Sequence, residues 1–269
     1  MIPVALTIAG SDSSGGAGIQ ADLKTFAAFG VYGASVITAL TAQNTVGVRA
    51  VAEVEPEFIG AQIDAVCDDL GVLAAKTGML ANAAVIEKVA VHVRAQRLAN
   101  LVVDPVIVAA SGDQLLARDA VRMLKYALFP PAVLITPNIR EAEILAGCAV
   151  RTADDMREAA RRLVTMGARA VLVTGGALEG DALDVFFDGR TMRDFRAPRV
   201  AVGRAHGAGC TLSAAIAASM ARGLGLEDAI ALAKQYVTHA LETAPEIGHG
   251  SRPLNHLVGS FPADVATPR

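Results

Sequence analysis

Pro3-Val4-Ala5-Leu6-Thr7-Ile8-Ala9-Gly10, then Ser11-Asp12-Ser13-Ser14-Gly15-Gly16-Ala17-Gly18, then Ile19-Gln20-Ala21-Asp22-Leu23-Lys24-Thr25-Phe26-Ala27-Ala28-Phe29 is the stretch on which the fold turns. Its first part is a short apolar run of strand formers that stops at a glycine. The middle part is a loop of small residues. In the last part Ile19, Leu23, Phe26 and Ala27 recur on one face of a helix, with Gln20, Asp22 and Lys24 opposite. Strand, loop and helix in that order open an α/β chain.

The same alternation continues downstream. A second apolar strand over 34–42 leads into Gln43-Asn44-Thr45, and further strands are expected over 48–54, 72–75, 101–108, 133–136 and 170–174. Helical patterns fall between them over 56–70, 83–96, 116–129, 140–146 and 153–166. Such spacing predicts βαβ units, a mostly parallel central sheet and a three-layer α/β/α fold. Residues 181–196 carry two strand-like runs around Asp188-Gly189, the signal for a small antiparallel hairpin at one edge. Two last helices are expected over 210–222 and 226–243, with irregular chain from Pro245. No repeat or linker appears, so the reading is one domain over 1–260 and a flexible tail over 261–269.

Composition agrees. The chain has 269 residues, 53% hydrophobic but 4% aromatic, so Ala, Val, Leu and Ile build the core. A net charge of −3 argues against broad attraction to nucleic acid. Mean hydropathy is high at +0.43, yet no run approaches the roughly 20 apolar residues that span a bilayer. The first ten residues read as a strand rather than a leader. Three widely spaced cysteines, Cys67, Cys148 and Cys210, form neither a disulfide framework nor a zinc pattern. A cytoplasmic protein is expected.

Near the other end, Arg204-Ala205-His206-Gly207-Ala208-Gly209-Cys210-Thr211-Leu212-Ser213 turns tightly into a helix. The first amides of a helix have no internal acceptor, and the helix dipole adds positive charge there. A turn without side chains lets an anion reach them, so Gly207, Ala208, Gly209 and Cys210 are a candidate phosphate or oxyanion site. A thiol at that position is expected to have a lowered pKa. The bland alternative is a glycine-rich turn beside a small buried cysteine.

Ligands of open parallel sheets bind beyond the carboxyl ends of the strands. The polar residues following each strand should therefore share one rim: the 10–18 loop, Gln43-Asn44, Lys76-Thr77-Gly78-Met79, Asp104, Thr136-Pro137-Asn138 with Glu141, and Thr174-Gly175-Gly176. No Gly-Lys-Ser/Thr ends the first loop, so it is not a P-loop. Its weak dinucleotide fingerprint lacks the acidic residue after the second strand. Asp104 interrupts an apolar strand, a carboxylate suited to Mg²⁺. Asn138 and Glu141 open a helix with capping-box spacing, compatible with water-mediated metal contact.

Gly10 to Thr25, Ala42-Gln43-Asn44-Thr45, Lys76-Thr77-Gly78-Met79, Val103-Asp104-Pro105-Val106, Thr136-Pro137-Asn138 and His206-Gly207-Ala208-Gly209-Cys210-Thr211 together resemble, in order and spacing, the hydroxymethylpyrimidine and phosphomethylpyrimidine kinases of thiamine biosynthesis. These have the ribokinase-like fold, and the resemblance covers about residues 2–258. It implies an ATP- and Mg²⁺-dependent phosphotransferase. Its substrates would be 4-amino-5-hydroxymethyl-2-methylpyrimidine and then the monophosphate. It further implies that Gly10, Asp22, Gln43, Met79 and Val106 line the pyrimidine pocket. Cys210 would be the catalytic base over an anion hole of Gly207, Ala208 and Gly209. Asp104 and Glu141 would act on Mg²⁺, and Thr136, Asn138, Thr174, Gly176 and Lys234 would lie near the nucleotide. A homodimer is implied as well.

Thr174 stands where many members have Lys, Arg204-Ala205 where they have Asn-Thr, and Ala208 where Thr is common. Arg204 is expected to restore part of the lost charge. Pyridoxal-phosphorylating relatives carry similar stretches, so a pyridoxine or pyridoxal kinase is the alternative. A pyrimidine-binding protein without catalysis is the third.

Overall fold

The computed structural model describes residues 2–107, 116, 118–176, 178–203 and 205–258. The opening unit forms as read. Strand β1 (Val4–Asp12) leads into helix α1 (Gly18–Ala28). Parallel neighbours flank β1: β2 (Tyr32–Gln43) on one side and β4 (Val72–Thr77) on the other. Covered on both faces, β1 has no solvent side, which is why its first six residues, Val4-Ala5-Leu6-Thr7-Ile8-Ala9, are apolar but for Thr7 rather than alternating. β5 (Leu101–Val103), β6 (Leu134–Ile135) and β7 (Val171–Thr174) continue the parallel set.

Two antiparallel additions close the sheet. At one edge β8 (Ala182–Phe187) and β9 (Met192–Ala197) form the expected hairpin, with Phe187 opposite Met192. At the other edge β3 (Val48–Glu53) runs antiparallel to β2. Among the described residues the strand order is β3-β2-β1-β4-β5-β6-β7-β8-β9.

Helices cover both faces, as the three-layer reading expects. On one face α2 (Pro56–Cys67), α3 (Ala83–Ala95), α4 (Arg118–Ala127), α5 (Ile139–Ala146) and α6 (Ala153–Thr165) bury Ile59, Val89, Leu124, Leu145 and Leu163 against Leu6, Ile8 and Val103. On the other, α1, α7 (Ala208–Ala221) and α8 (Leu226–Glu242) bury Phe26, Ile216, Ile230 and Tyr236 against Ala5, Val102 and Leu172. Alternate residues of one strand thus feed different cores, the period of a pleated sheet. Helix α7 is buried almost all round. Its Ala and Ser side chains are small enough for that.

Three expectations need correction. The sheet has antiparallel pairing at both edges, not one. Asn44 Oδ1 accepts from Val46 N and Gly47 N, and Asn44 N donates to Gly47 O, so the loop is a side-chain-closed turn that reverses the chain. The strand expected over 101–108 ends at Val103, because Pro105 has no amide to give the ladder. The chain after Pro245 is not wholly irregular: Arg252–Pro253 pairs in parallel with Ala205–His206. Arg204 and the tail over 261–269 lie outside the described residues.

Candidate active site

Strand order reverses about β1, where β2 departs to one side and β4 to the other. At that point the strands' carboxyl ends and the first turns of α5 and α7 enclose a cleft of about 440 Å³. Small-molecule sites run from roughly 300 to 1,000 Å³ and favour such switch points.

The corner before α7 forms one wall. Gly207 has φ of +88°, and a Cβ there would lie 1.9 Å from Gly16 O. Only glycine allows this contact, which presses the anion corner onto the opening loop. The first helical bond runs from Thr211 N to Gly207 O at 2.9 Å. The amides of Ala208, Gly209 and Cys210 come before it and carry the positive end of a 14-residue helix.

The opening loop is organised by Asp12, at the end of β1. Its Oδ1 accepts from Ser14 N at 2.9 Å and Ser14 Oγ at 2.7 Å; Oδ2 accepts from Gly16 N at 3.1 Å, Ala17 N at 2.8 Å and His206 Nε2 at 2.8 Å. Burial pushes this carboxyl up, but the bonds from His206 and Ser14 outweigh it and hold it at about 2.

Cys210 is partly exposed, toward the cleft. Burial pushes its thiol up to about 12, with Lys76 pulling down and Asp104 and Asp22 pushing further up. This corrects the expectation of a lowered pKa. The helix's partial charge is opposed here by loss of water and by two carboxylates, so the resting group is a thiol.

Beneath the thiol lies a buried ion pair. Lys76 Nζ is 3.0 Å from both oxygens of Asp22 and 3.9 Å from Asp104 Oδ2. Burial alone would lower the ammonium's pKa; Asp22, Cys210 and Asp104 together raise it, so Lys76 stays charged. Asp22 also accepts from Thr7 Oγ1 at 2.6 Å. It is fully buried and does not line the cleft, contrary to its expected place in the pyrimidine pocket. Its position on the inner face of α1 directs it to Lys76 instead. Gly10, Gln43, Met79 and Val106 do line the cleft.

Asp104 accepts from Ser213 Oγ at 3.0 Å. Burial lifts its carboxyl above the ordinary value, and Asp22 adds to the rise. Glu141 is pushed up to about 8, first by burial and then by Asp104. Asn138 and Glu141 form the capping box: Glu141 N donates to Asn138 Oδ1 and Asn138 N to Glu141 Oε2, both at 3.0 Å. Asp104 and Glu141 are buried carboxylates, the first raising the pKa of the second, and such oxygen donors fit a hard divalent cation such as magnesium, which keeps several waters. Among the described residues no group of three His, Cys, Asp or Glu could hold a metal ion.

Of the residues expected near the nucleotide, only Asn138 lines the cleft. The others cluster beside it. Asn138 and Thr174 form a parallel bridge, and Thr174 N donates to Pro137 O at 2.9 Å. Thr136 Oγ1 is buried without a partner. Gly176 O accepts from Arg199 Nη1 at 2.6 Å. Lys234 Nζ pairs with Asp184 at 2.7 Å, and Asp184 also accepts from Gly175 N at 3.1 Å. Lys234 is thus committed to bracing this loop.

Asp12, Lys76 and His206 line the cleft, within stretches expected at the rim or in the turn into α7, but neither they nor Ser213 were expected to carry a role of their own. A lysine in the apolar run Val72-Leu73-Ala74-Ala75-Lys76 was a readable signal; His206 and Ser213 meet Asp12 and Asp104 across distant chain, while Asp12 takes its other donors from Ser14, Gly16 and Ala17 beside it.

A parallel sheet with antiparallel edges, an amide corner at a helix start and paired carboxylates across the cleft define a ribokinase-like phosphotransferase. The family model for phosphomethylpyrimidine kinase matches residues 12–255, and the chain belongs to that family. A hydroxymethylpyrimidine/phosphomethylpyrimidine kinase of Rhizobium meliloti is 52% identical over 263 residues, covering 96% of this chain and 98% of that protein. The thiamine biosynthesis bifunctional protein ThiED of Geobacter sulfurreducens is 50% identical over 95% of this chain, which spans 52% of that longer protein. Among solved structures, an ADP complex of Bacillus subtilis pyridoxal kinase has a TM-score of 0.89 at 39% identity, covering 95% of this chain and 98% of that one.

Proposed function

We propose that this protein transfers the γ-phosphoryl group of ATP to the hydroxymethyl of 4-amino-5-hydroxymethyl-2-methylpyrimidine, and then phosphorylates the monophosphate to the diphosphate. The single observation that carries the reading is the Gly207–Gly16 contact. Because of it, an amide corner suited to a transferring phosphate, a thiol, and a carboxamide suited to an aminopyrimidine edge open on one cleft.

In this reading Gln43 orients the ring, with Met79 and Val106 bounding it. The amides of Ala208, Gly209 and Cys210 face the charge that develops on the phosphoryl oxygens. Lys76 keeps a fixed positive charge below them. Mg²⁺, held through Asp104 and Glu141, would neutralise the phosphates. The substrate hydroxyl must lose its proton as the new P–O bond forms, and Cys210 takes it from the minor thiolate form that Lys76 favours. Phosphoryl transfer asks mainly for positioning and charge stabilisation, so a weakly populated base is tolerable. Thr136, Asn138, Thr174 and Gly176 form the nucleotide end, with Lys234 bracing it from behind. The chain works as a homodimer.

The likeness to a pyridoxal kinase favours a second reading, phosphorylation of vitamin B6 compounds in the same cleft. Parallel turnover assays with the aminopyrimidine and with pyridoxal decide between them. The expected result is clear preference for the pyrimidine; preference for pyridoxal overturns the assignment. Calorimetric binding of pyrimidine without any ATP consumption would point to a non-catalytic binder.

A further inference from the structure

Gln43 reaches the cleft with its backbone fixed. Its N donates to Ser13 Oγ at 2.9 Å, and its O accepts from the same hydroxyl at 2.8 Å. Only the carboxamide can turn, and its two ends have different neighbours. One lies 3.1 Å from Thr41 Oγ1, the other 3.2 Å from His206 Nε2.

Both neighbours have a proton already committed. Asp12 gathers five donors and is ionised, so in the 2.8 Å contact with His206 the proton sits on Nε2 and points at the carboxylate. A nitrogen carrying that proton cannot accept from an amide N–H. At the other end Thr41 Oγ1 donates to Ser11 O at 2.9 Å, leaving its lone pairs to accept. An amide nitrogen facing His206 would set two donors against each other. Exchanging the carboxamide's oxygen and nitrogen moves no heavy-atom position and removes both conflicts, since an oxygen 3.2 Å from Nε2 can share the proton that points mainly at Asp12. Oxygen then faces His206, and NH₂ donates to Thr41.

We propose that His206, through its bond to Asp12, is a specificity-determining positioning residue that fixes which way the Gln43 carboxamide faces its substrate. The inference rests on the pyrimidine reading of the cleft. One N–H and one lone pair remain to Gln43, donor on the Thr41 side and acceptor on the His206 side. A 4-aminopyrimidine offers the complement, a ring nitrogen that accepts beside an amine that donates. Its 4-oxo counterpart presents the reverse, a ring N–H beside a carbonyl. A carboxamide held in one sense rejects the oxo compound; one free to turn accepts either. His206 comes two residues before Ala208, so the same residue joins ring recognition to the phosphate corner.

The test is calorimetric binding of 4-amino-5-hydroxymethyl-2-methylpyrimidine and its 4-oxo analogue to the wild-type chain and to His206→Ala, Asp12→Asn and Gln43→Ala. In the wild type the amino compound should bind at least about 100-fold tighter, as expected when a buried polar pair would be left unmatched. In His206→Ala the ratio should fall below about tenfold, because the oxo compound gains while the amino compound weakens. Asp12→Asn should move the ratio the same way, and it serves if the alanine variant does not fold. General damage weakens both ligands and leaves their ratio alone. An unchanged ratio in both variants, with amino binding lost in Gln43→Ala, overturns the role of His206 while the pocket assignment stands. Unaltered amino binding in Gln43→Ala overturns the pocket assignment and this inference with it.

Discussion

At the scale of single residues, Cys210 separates two ideas that the sequence alone runs together: a thiol at a helix start and a thiolate. The helix terminus lowers a thiol's pKa only where water and the remaining charges allow it. Here burial, Asp104 and Asp22 oppose Lys76 and leave the group at about 12. Cys210→Ala should therefore lower kcat by about 10²-fold, toward the smaller end of what acid–base help supplies, with KM for the pyrimidine unchanged. That is about 2.7 kcal/mol of barrier. The pH profile carries the sign. Below a pKa of about 12 each pH unit multiplies the thiolate fraction tenfold, so wild-type kcat should keep rising above pH 8 while the alanine variant stays level. Steady-state rates from pH 6 to 9 check this; parallel profiles for the two proteins would remove Cys210 from proton transfer.

At the scale of elements, the start of α7 is held by an absence of side chain. Alanine at Gly207 would have to accept φ of +88° and a Cβ 1.9 Å from Gly16 O. Left-handed backbone alone costs a non-glycine residue about 1–3 kcal/mol, and the clash forces the two loops apart. Gly207→Ala should lower Tm and abolish turnover. Gly225→Ala, at the cap of α8 with nothing within 4 Å of the new Cβ, should do neither. The same corner shows what could be read in advance. Local signals sufficed for strand–loop–helix units, for the hairpin at Asp188-Gly189 and for the turn into α7, since each depends on neighbours in sequence. The place of Asp22 did not follow. A polar residue on an amphipathic helix reads as solvent-facing or site-facing, and only the arrival of Lys76 from β4 makes a buried pair of it. Likewise Lys234 reads as a free cation until Asp184 of β8 arrives to bind it. The β2–β3 reversal was hidden because Asn44 closes the turn with its side chain, outside the usual Asn-Gly pattern.

At the scale of the whole molecule, the unfinished part of the surface is the edge of the sheet at β3. Helix α2 covers one face of β2 at Ala34 and Val36, which pack in one core with Ile59 and Ile63. Beyond a register shift between Ile37 and Leu40, which breaks the even-numbered alternation, the strand carries Leu40 and Ala42 opposite Ala52 and Ala50 of β3, all four exposed. Leu40 is 51% accessible. An edge strand leaves backbone groups unpaired as well, and proteins usually blunt such edges with charge or cover them. Here that face is apolar at Leu40, Ala42, Ala50 and Ala52. A second copy of the chain, placed by a two-fold axis, would bury the patch against itself, since an isologous contact needs only self-complementarity. Leu40→Lys puts like charges face to face across that axis. Sedimentation velocity at micromolar concentration should give a dimer for the wild-type chain and a monomer for the variant. Leu40 lies on the opposite face of β2 from Thr41, which lines the cleft, so the variant's pyrimidine affinity should hold. A wild-type monomer, or a variant that still dimerises, places the interface elsewhere and leaves this edge to solvent.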